Sequence, residues 1–128
     1  MPSPGIGLGT ADGRERGRRA PFPPSSTVST MFVLELGYTA PLDRVDDLLP
    51  AHVEWLDALY DSGMFIASGR KEPRTGGVIL AVGERAAVEA AVATDPFVLA
   101  GVCAYTVTEF IATKTAAGLA EYRQTPPG

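Results

Sequence analysis

The sequence has very little of the residues that stabilise small proteins through disulfides or metal ions. Among 128 residues there is one cysteine, Cys103, and one histidine, His52. A single cysteine excludes an intrachain disulfide, and no spacing of cysteine and histidine suggests a zinc or iron site. We therefore expect no metal and no other cofactor, and a reducing compartment fits this cysteine usage.

Long apolar runs are missing as well. No stretch approaches the roughly 18 apolar residues of a membrane-spanning helix. The first residues also lack the apolar core of a secretory signal. These two absences predict a cytoplasmic protein that makes no contact with a membrane.

Positive charge is in deficit. The chain has 11 lysines and arginines against 15 aspartates and glutamates, a net charge of −4 at pH 7. This balance argues against nucleic acid and anionic membranes as partners. Hydrophobic residues make up 45% of the sequence, which is enough for a core, and the length suits one domain.

Composition divides the chain into three parts. Residues 1–30 are rich in Gly, Pro, Ser and Arg and show no apolar period, so we expect a disordered tail. An Arg-rich transit peptide, or an extension upstream of a natural start at Met31, are the alternatives. Residues 31–115 are the expected domain, and residues 116–128 are an expected arm that is partly loose.

Hydrophobic periodicity predicts two helices and four strands in the domain. The first helix follows capping chemistry in residues 39–43 and ends near Ser62, with Pro50 expected to kink it or to begin its second half. Asp95 and Pro96 predict a short capped helical turn. The predicted strands are Met31–Tyr38, Met64–Lys71, Val78–Val82 and Val102–Ile111, and the alanine-rich second helix is Glu84–Thr94.

The order of these elements, β-α-β-β-α-β, predicts a ferredoxin-like α+β fold with an antiparallel sheet and both helices on one face. A sheet covered on one side should alternate apolar and polar residues. The first strand does not, because Met31 and Val33 lie on the face opposite Phe32 and Leu34. We therefore expect an identical sheet from a second chain to cover the other face, forming a homodimer.

Three separated motifs carry a resemblance to a known family. They are Ala51-His52-Val53-Glu54-Trp55-Leu56, the strand and turn from Ser68 to Gly77, and Asp95-Pro96-Phe97 followed by Gly101-Val102. In this order, over residues 31–115, the chain resembles the YCII-related (YciI-like) family. The resemblance implies a dimeric α/β barrel, in which two ferredoxin-like sheets pack face to face.

The resemblance also implies a site. The histidine and aspartate proposed as the family's site fall on His52 and Asp95, the serine-glycine after the second strand falls on Ser68 and Gly69, and the arginine of the glycine turn falls on Arg74. Most members of the family have no assigned function. A few relatives act on small, often aromatic, ring compounds in elimination or similar steps.

The residues alone leave two uses open for the central pair. His52 lies on the apolar stripe of its helix, so it is either a buried histidine satisfied by one hydrogen bond or a general acid/base. A carboxylate on the other ring nitrogen would fix the tautomer, which is the role that suits Asp95. Asp95 also suits a helix cap, and the two roles are compatible with one oxygen for each.

The other candidates have the same ambiguity. Ser68 and Gly69 either end a strand or offer a hydroxyl donor and a close approach to the backbone. Arg74 belongs to a solvated hairpin or captures an anion. Trp55 packs in the core or stacks on a ring substrate. Cys103 has no activating partner in the sequence and is expected to be a small buried hydrophobic residue.

These interpretations lead to competing functions. The first is a small cofactor-independent lyase or isomerase acting on a small carboxylated or aromatic metabolite, with His52 and Asp95 catalytic and Ser68, Gly69, Arg74 and Trp55 in substrate binding. The second is a non-catalytic, metabolite-binding or accessory dimeric module. The third is a purely structural dimer, in which His52 and Asp95 would lie far apart.

Overall fold

A computed structural model describes residues 30–126 of the chain. The expected tail therefore lies, apart from Thr30, outside the described residues. In chain order the elements are β1 (Thr30–Tyr38), α1 (Leu42–Asp61), β2 (Phe65–Arg70), β3 (Gly76–Gly83), α2 (Arg85–Val92), α3 (Pro96–Leu99), β4 (Cys103–Phe110) and a 3-10 helix (Ala117–Tyr122). Within residues 30–126, no helix has the length and apolar character needed to cross a bilayer.

The four strands form one antiparallel sheet in the order β2-β3-β1-β4. β1 lies between β3 and β4, so the first and last strands of the described chain pair directly with each other. This order and the two crossing helices confirm the ferredoxin-like α+β fold.

The two faces of the sheet take alternate residues of each strand. We call the helix-covered face the back face; β1 contributes Phe32, Leu34 and Leu36 to it, all buried. The opposite, front face carries Met31, Val33 and Glu35 of the same strand. The core lies between the back face and the helices and comprises Phe32, Leu34, Leu36, Val45, Phe65, Ile79, Ala81, Val88, Phe97, Val102 and Cys103.

Helix α1 runs unbroken through Pro50. Pro50 is exposed, so water can satisfy the carbonyl that a proline leaves without its N–H donor. Of the two expectations for Pro50, the one that the second half of the helix starts there is wrong, because the helix is not divided at this residue. No side chain caps the start of α1 either, because the hydroxyl of Thr39 donates to the carbonyl of Gly101 instead.

Helix α3 is short and fixed at both ends. At its start, Oδ1 of Asp95 accepts the N–H of Phe97 at 2.9 Å, as the predicted cap requires. At its end, Gly101 has φ of +72° and the N–H of Val102 donates to the carbonyl of Phe97. These bonds place Asp95 and Phe97 beneath α1, which packs against α3.

The chain after β4 returns to the front face. Tyr122 packs there against the cluster of Met31, Val82 and Ala112, as Ile66 also does. The N–H of residue 124 donates to the carbonyl of Ala112, which ties the segment down. One end of the front face is therefore covered by the chain itself, in addition to any cover from the second chain that the sequence predicted.

Candidate functional site

The contact between His52 and Asp95 is the centre of the site. Nδ1 of His52 lies 2.8 Å from Oδ1 of Asp95. Only 8% of His52 is exposed and none of Asp95. The helical stripe of α1 and the cap of α3 thus bring together two residues that are 43 positions apart in the chain.

Asp95 receives three hydrogen-bond donors. Its Oδ1 accepts both the N–H of Phe97 and the contact from His52, so one oxygen serves as cap and as histidine partner. Its Oδ2 accepts the hydroxyl of Tyr105 at 2.5 Å. The expected division of one oxygen for each role is therefore wrong. Oδ1 has both roles, and Oδ2 is bonded to Tyr105, a residue that the sequence did not single out.

This arrangement assigns the histidine tautomer. A carboxylate that is already the acceptor for a backbone N–H and a phenol is an acceptor for Nδ1–H as well. In neutral His52 the proton therefore resides on Nδ1, and Nε2 keeps its lone pair. Nε2 has no hydrogen-bond partner among residues 30–126 and is the nitrogen free to exchange a proton with a ligand.

Aromatic rings hold the imidazole in place. The ring of Phe97 stacks on His52 with centroids 4.0 Å apart and an interplanar angle of 8°. The indole of Trp55 lies 5.4 Å from the imidazole on the next turn of α1. Since Phe97 also donates its N–H to Asp95, one residue orients both members of the pair.

Burial sets the protonation of the neighbouring acids. Burial, and then the hydrogen bond to Asp95, raise the pKa of Tyr105, so its hydroxyl keeps its proton. Burial, and then the charge of Asp95, raise the pKa of Cys103 to about 12. Cys103 is therefore a neutral buried thiol, as the sequence predicted, and not an activated nucleophile.

Trp55 is used in packing. Its Nε1 donates to the carbonyl of Ala91 at 3.2 Å and to Oγ1 of Thr94 at 2.9 Å. Its ring meets Phe65 edge-on, with centroids 5.3 Å apart. Trp55 thus links α1 to the end of α2, and only the part of its ring near His52 remains for a ligand.

Ser68 and Gly69 lie on the edge strand β2. The hydroxyl of Ser68 shares a hydrogen bond of 2.6 Å with that of Tyr60. A Cβ added at Gly69 would meet nothing within 4 Å, so the backbone there is open. In the part of the chain that the structure describes, no hydrogen bond joins either residue to His52 or Asp95.

The basic residues of the hairpin are divided between different partners. Arg74 donates to Asp46 at 2.5 Å and lies over the ring of Tyr38, 6.0 Å from its centroid. The bond to Asp46 raises the pKa of Arg74. Lys71 instead reaches Glu35 on the front face, at 2.9 Å. An anion bound at Arg74 would therefore have to share the guanidinium with Asp46.

The glycines after this hairpin have a structural reason. A Cβ at Gly76 would lie 1.8 Å from the backbone oxygen of Leu36, and a Cβ at Gly77 would lie 3.1 Å from that of Gly69. Close approach of neighbouring backbones thus accounts for the pair without a ligand.

Comparison with known proteins identifies the family. The model of the YCII-related domain matches residues 31–111. The chain belongs to the YCII-related family. None of the curated proteins compared with the chain matches it.

A solved structure shares the fold. It is 5-chloro-2-hydroxyhydroquinone dehydrochlorinase (TftG) from Burkholderia phenoliruptrix AC1100, in complex with 2,5-dihydroxybenzoquinone. The two chains are 21% identical, with a TM-score of 0.56 over 62% of this chain and 92% of that one. At this identity the likeness concerns the fold.

Of the candidates that the sequence suggested in this YCII-related chain, His52 is in contact with Asp95 and Trp55, whereas Ser68 is bonded to Tyr60 and Arg74 to Asp46. Tyr105 was missed. The available signal was the alternation of β4, which places residue 105 on the same face as Cys103 and two residues after it. No group of three or more His, Cys, Asp or Glu side chains within residues 30–126 is placed to hold a metal ion.

Proposed function

We propose that the protein is a small enzyme of the lyase or isomerase type, in which His52 acts as general acid/base on a small aromatic or carboxylated compound. The observation that carries this proposal is the buried His52–Asp95 contact, with Nδ1 occupied and Nε2 free. A histidine held in one tautomer by a carboxylate is suited to proton transfer near neutral pH.

The proposed chemistry is an elimination. Nε2 of His52 takes a proton from a carbon of the substrate, and the electrons of the broken C–H bond form a new double bond. The leaving group departs with its own bonding electrons. Asp95 stabilises the imidazolium, which then gives the proton to water, or returns it to another substrate atom in an isomerisation.

The family and the fold support the proposed substrate class. TftG is a dehydrochlorinase whose structure holds 2,5-dihydroxybenzoquinone, a small ring compound. In this chain we assign recognition to Trp55 beside the imidazole, to Ser68 and Gly69 on the open edge strand, and to Arg74 for an anionic substituent. Arg74 would bind such an anion together with Asp46 as its counter-ion.

We further propose a homodimer that forms through the front face. Val33, Val78 and Leu80 are only half-buried there, and Phe110 remains 39% exposed. Neighbouring strands place these side chains side by side, and a second copy would bury them. A cytoplasmic location remains a prediction of the sequence.

The test is turnover by the full chain and by His52→Ala. The probes are 5-chloro-2-hydroxyhydroquinone, with chloride release as the signal, and a panel of small aromatic carboxylates. We expect His52→Ala to lower kcat/KM by about 100-fold or more. Glu54→Gln, an exposed change on the same helix, is the matched control.

Equal turnover by His52→Ala and the parent chain would refute the acid/base role. Calorimetric titration with 2,5-dihydroxybenzoquinone separates the alternative function. Binding that produces no turnover on any probe favours the metabolite-binding module.

A further inference from the structure

We propose that Tyr105 is a positioning residue of this site, whose hydroxyl fixes the Asp95 carboxylate in the orientation that serves His52. The inference rests on the proposed function for its catalytic meaning. Its structural content, a phenol that controls a buried carboxylate, can be tested independently of any substrate.

Both oxygens of the Asp95 carboxylate accept hydrogen bonds. The side chain has no exposed surface, so water cannot replace a missing donor. Oδ1 takes two donors and Oδ2 takes the hydroxyl of Tyr105. Without that hydroxyl, Oδ2 would be a buried charged acceptor with no partner among the described residues, and the carboxylate would turn to find one.

The three donors to Asp95 come from three different elements of the fold. The N–H of Phe97 comes from α3, the imidazole of His52 from α1, and the phenol of Tyr105 from the sheet. Tyr105 stands opposite Leu36 in the β1–β4 register, and so its position depends on the sheet and not on the helices. Among the hydrogen bonds of His52 and Asp95 within residues 30–126, the one from the phenol is thus the one that ties them to the sheet.

The phenol of Tyr105 also affects the charge of the Asp95 carboxylate. A phenol that donates to a carboxylate draws the negative charge toward itself, which reduces the charge available to stabilise an imidazolium. Removing the hydroxyl therefore acts on the contact with His52 in two ways, because the carboxylate regains charge but loses the orientation that the phenol fixes. The groups that face His52 and Asp95 are few: Tyr105 and Cys103 from β4 titrate, whereas Phe97 and Trp55 do not.

The experiment compares Tyr105→Phe with the wild-type full chain by NMR. Because His52 is the only histidine, its ring signals give one unambiguous titration curve. We expect the midpoint of that curve to differ from that of the wild type by about half a pH unit or more in the variant. We also expect the Nδ1 proton to exchange with water about tenfold faster, since Asp95 is no longer held.

Tyr60→Phe is the matched control. Tyr60 lies on the same helix as His52, eight positions further along the chain, or about 12 Å along the helix axis. The variant removes the hydroxyl of Tyr60, which shares a hydrogen bond of 2.6 Å with Ser68. The His52 titration should be unchanged in this variant. An unchanged titration and an unchanged exchange rate in Tyr105→Phe would overturn the proposal.

A readout on the wild-type chain covers the case in which Tyr105→Phe does not fold. The hydroxyl proton of Tyr105 should give a downfield signal that exchanges slowly, as the amide proton of Phe97 does. If that amide is protected and the hydroxyl signal is absent, the proposal is overturned. This measurement needs neither turnover nor a variant.

Turnover then connects the inference to the reaction. The pH profile of kcat/KM in Tyr105→Phe should move in the same direction as the NMR titration, which a purely structural loss would not produce. If His52→Ala keeps full turnover, the proposed function fails while the NMR result still decides the role of Tyr105. If His52 is essential but Tyr105→Phe changes neither titration nor profile, only this inference fails.

Discussion

The front and back faces of the sheet are made by alternate residues of the same four strands, yet they are finished differently. Helices cover the back face, and beneath them Asp95 is hydrogen-bonded both to His52 and to Tyr105. The front face keeps half-buried Val33, Val78 and Leu80 beside an ion pair of Glu35 and Lys71 that is partly exposed. The carboxylate of Asp95, which has three donors, is fully buried, whereas the ion pair of Glu35 and Lys71 is partly exposed to water.

The contrast teaches where chemistry and assembly can reside. A carboxylate out of reach of solvent keeps a fixed orientation, and so the back face can hold an acid/base pair in one geometry. Apolar side chains beside an exposed ion pair do not form a finished core, and so the front face suits association. Each prediction below tests one side of this difference against the other.

The largest effect should come from Phe97→Ala. Phe97 is 2% exposed, packs in the core and stacks on His52. Its truncation should lower the free energy of unfolding by about 3–5 kcal/mol, measured by chemical denaturation. Leu99→Ala, in the same short helix but at a residue that is 73% exposed, should change it little. Equal losses in the two variants would mean that the back face is not sealed at α3.

The next effect concerns the front face. Leu80→Lys should weaken self-association by about 100-fold or more, because an interface would have to bury an unpaired charge. Sedimentation or light scattering over a range of concentrations measures it. Leu99→Lys places the same charge on the helix side and should leave the association unchanged. A parent chain that stays monomeric at micromolar concentration would remove the basis for the front-face dimer.

Sequence reasoning succeeded where a local pattern has one solution. The period of α1 places His52 inward, and Asp95 before Pro96 announces a cap, so the residue types of the site could be named. Failure began where two elements meet. Alternation places Tyr105 on the face of Cys103, but whether its hydroxyl reaches Oδ2 of Asp95 depends on how α3 packs against β4, and no local pattern encodes that packing.

The hairpin shows the same limit. Arg74 and Lys71 are three residues apart and form one basic cluster in the sequence. Strand direction sends Lys71 to Glu35, while Arg74 turns to Asp46 on α1. Both partners lie more than twenty residues away along the chain. The ion-pair partners of Lys71 and Arg74 therefore could not be predicted from the sequence, although the turn itself was predicted.

A smaller effect should appear at alkaline pH. The folded pKa of Cys103 is raised from its ordinary 9.0 to about 12 by burial and then by Asp95. Cys103 is a thiol whose neutral form is favoured by folding, so its contribution is complete below the unfolded pKa and is lost as pH rises toward the folded one. The stability advantage of the wild type over Cys103→Ala should therefore shrink above pH 9.0. Val102→Ala, a neighbouring core change without a titrating group, should give a constant difference.

The smallest effect should come from Glu109, at the exposed end of β4. Hydrogen bonds from Thr30 and then Arg85 lower the pKa of Glu109 below its ordinary 4.5. A depressed carboxylate pKa gives stability that is present above the unfolded value and lost as pH falls through the folded one. Glu109→Gln should therefore lose less stability than the wild type on acidification below pH 4.5, by a small margin because the group is open to solvent. Unfolding curves at a series of acid pH values measure this difference, and Glu121→Gln, in the 3-10 helix and outside the bonds of Glu109 to Thr30 and Arg85, is the control. A Glu109 effect as large as that of Phe97→Ala would mean that exposed charges contribute as much as the sealed back face, and the distinction between the two kinds of surface would be lost.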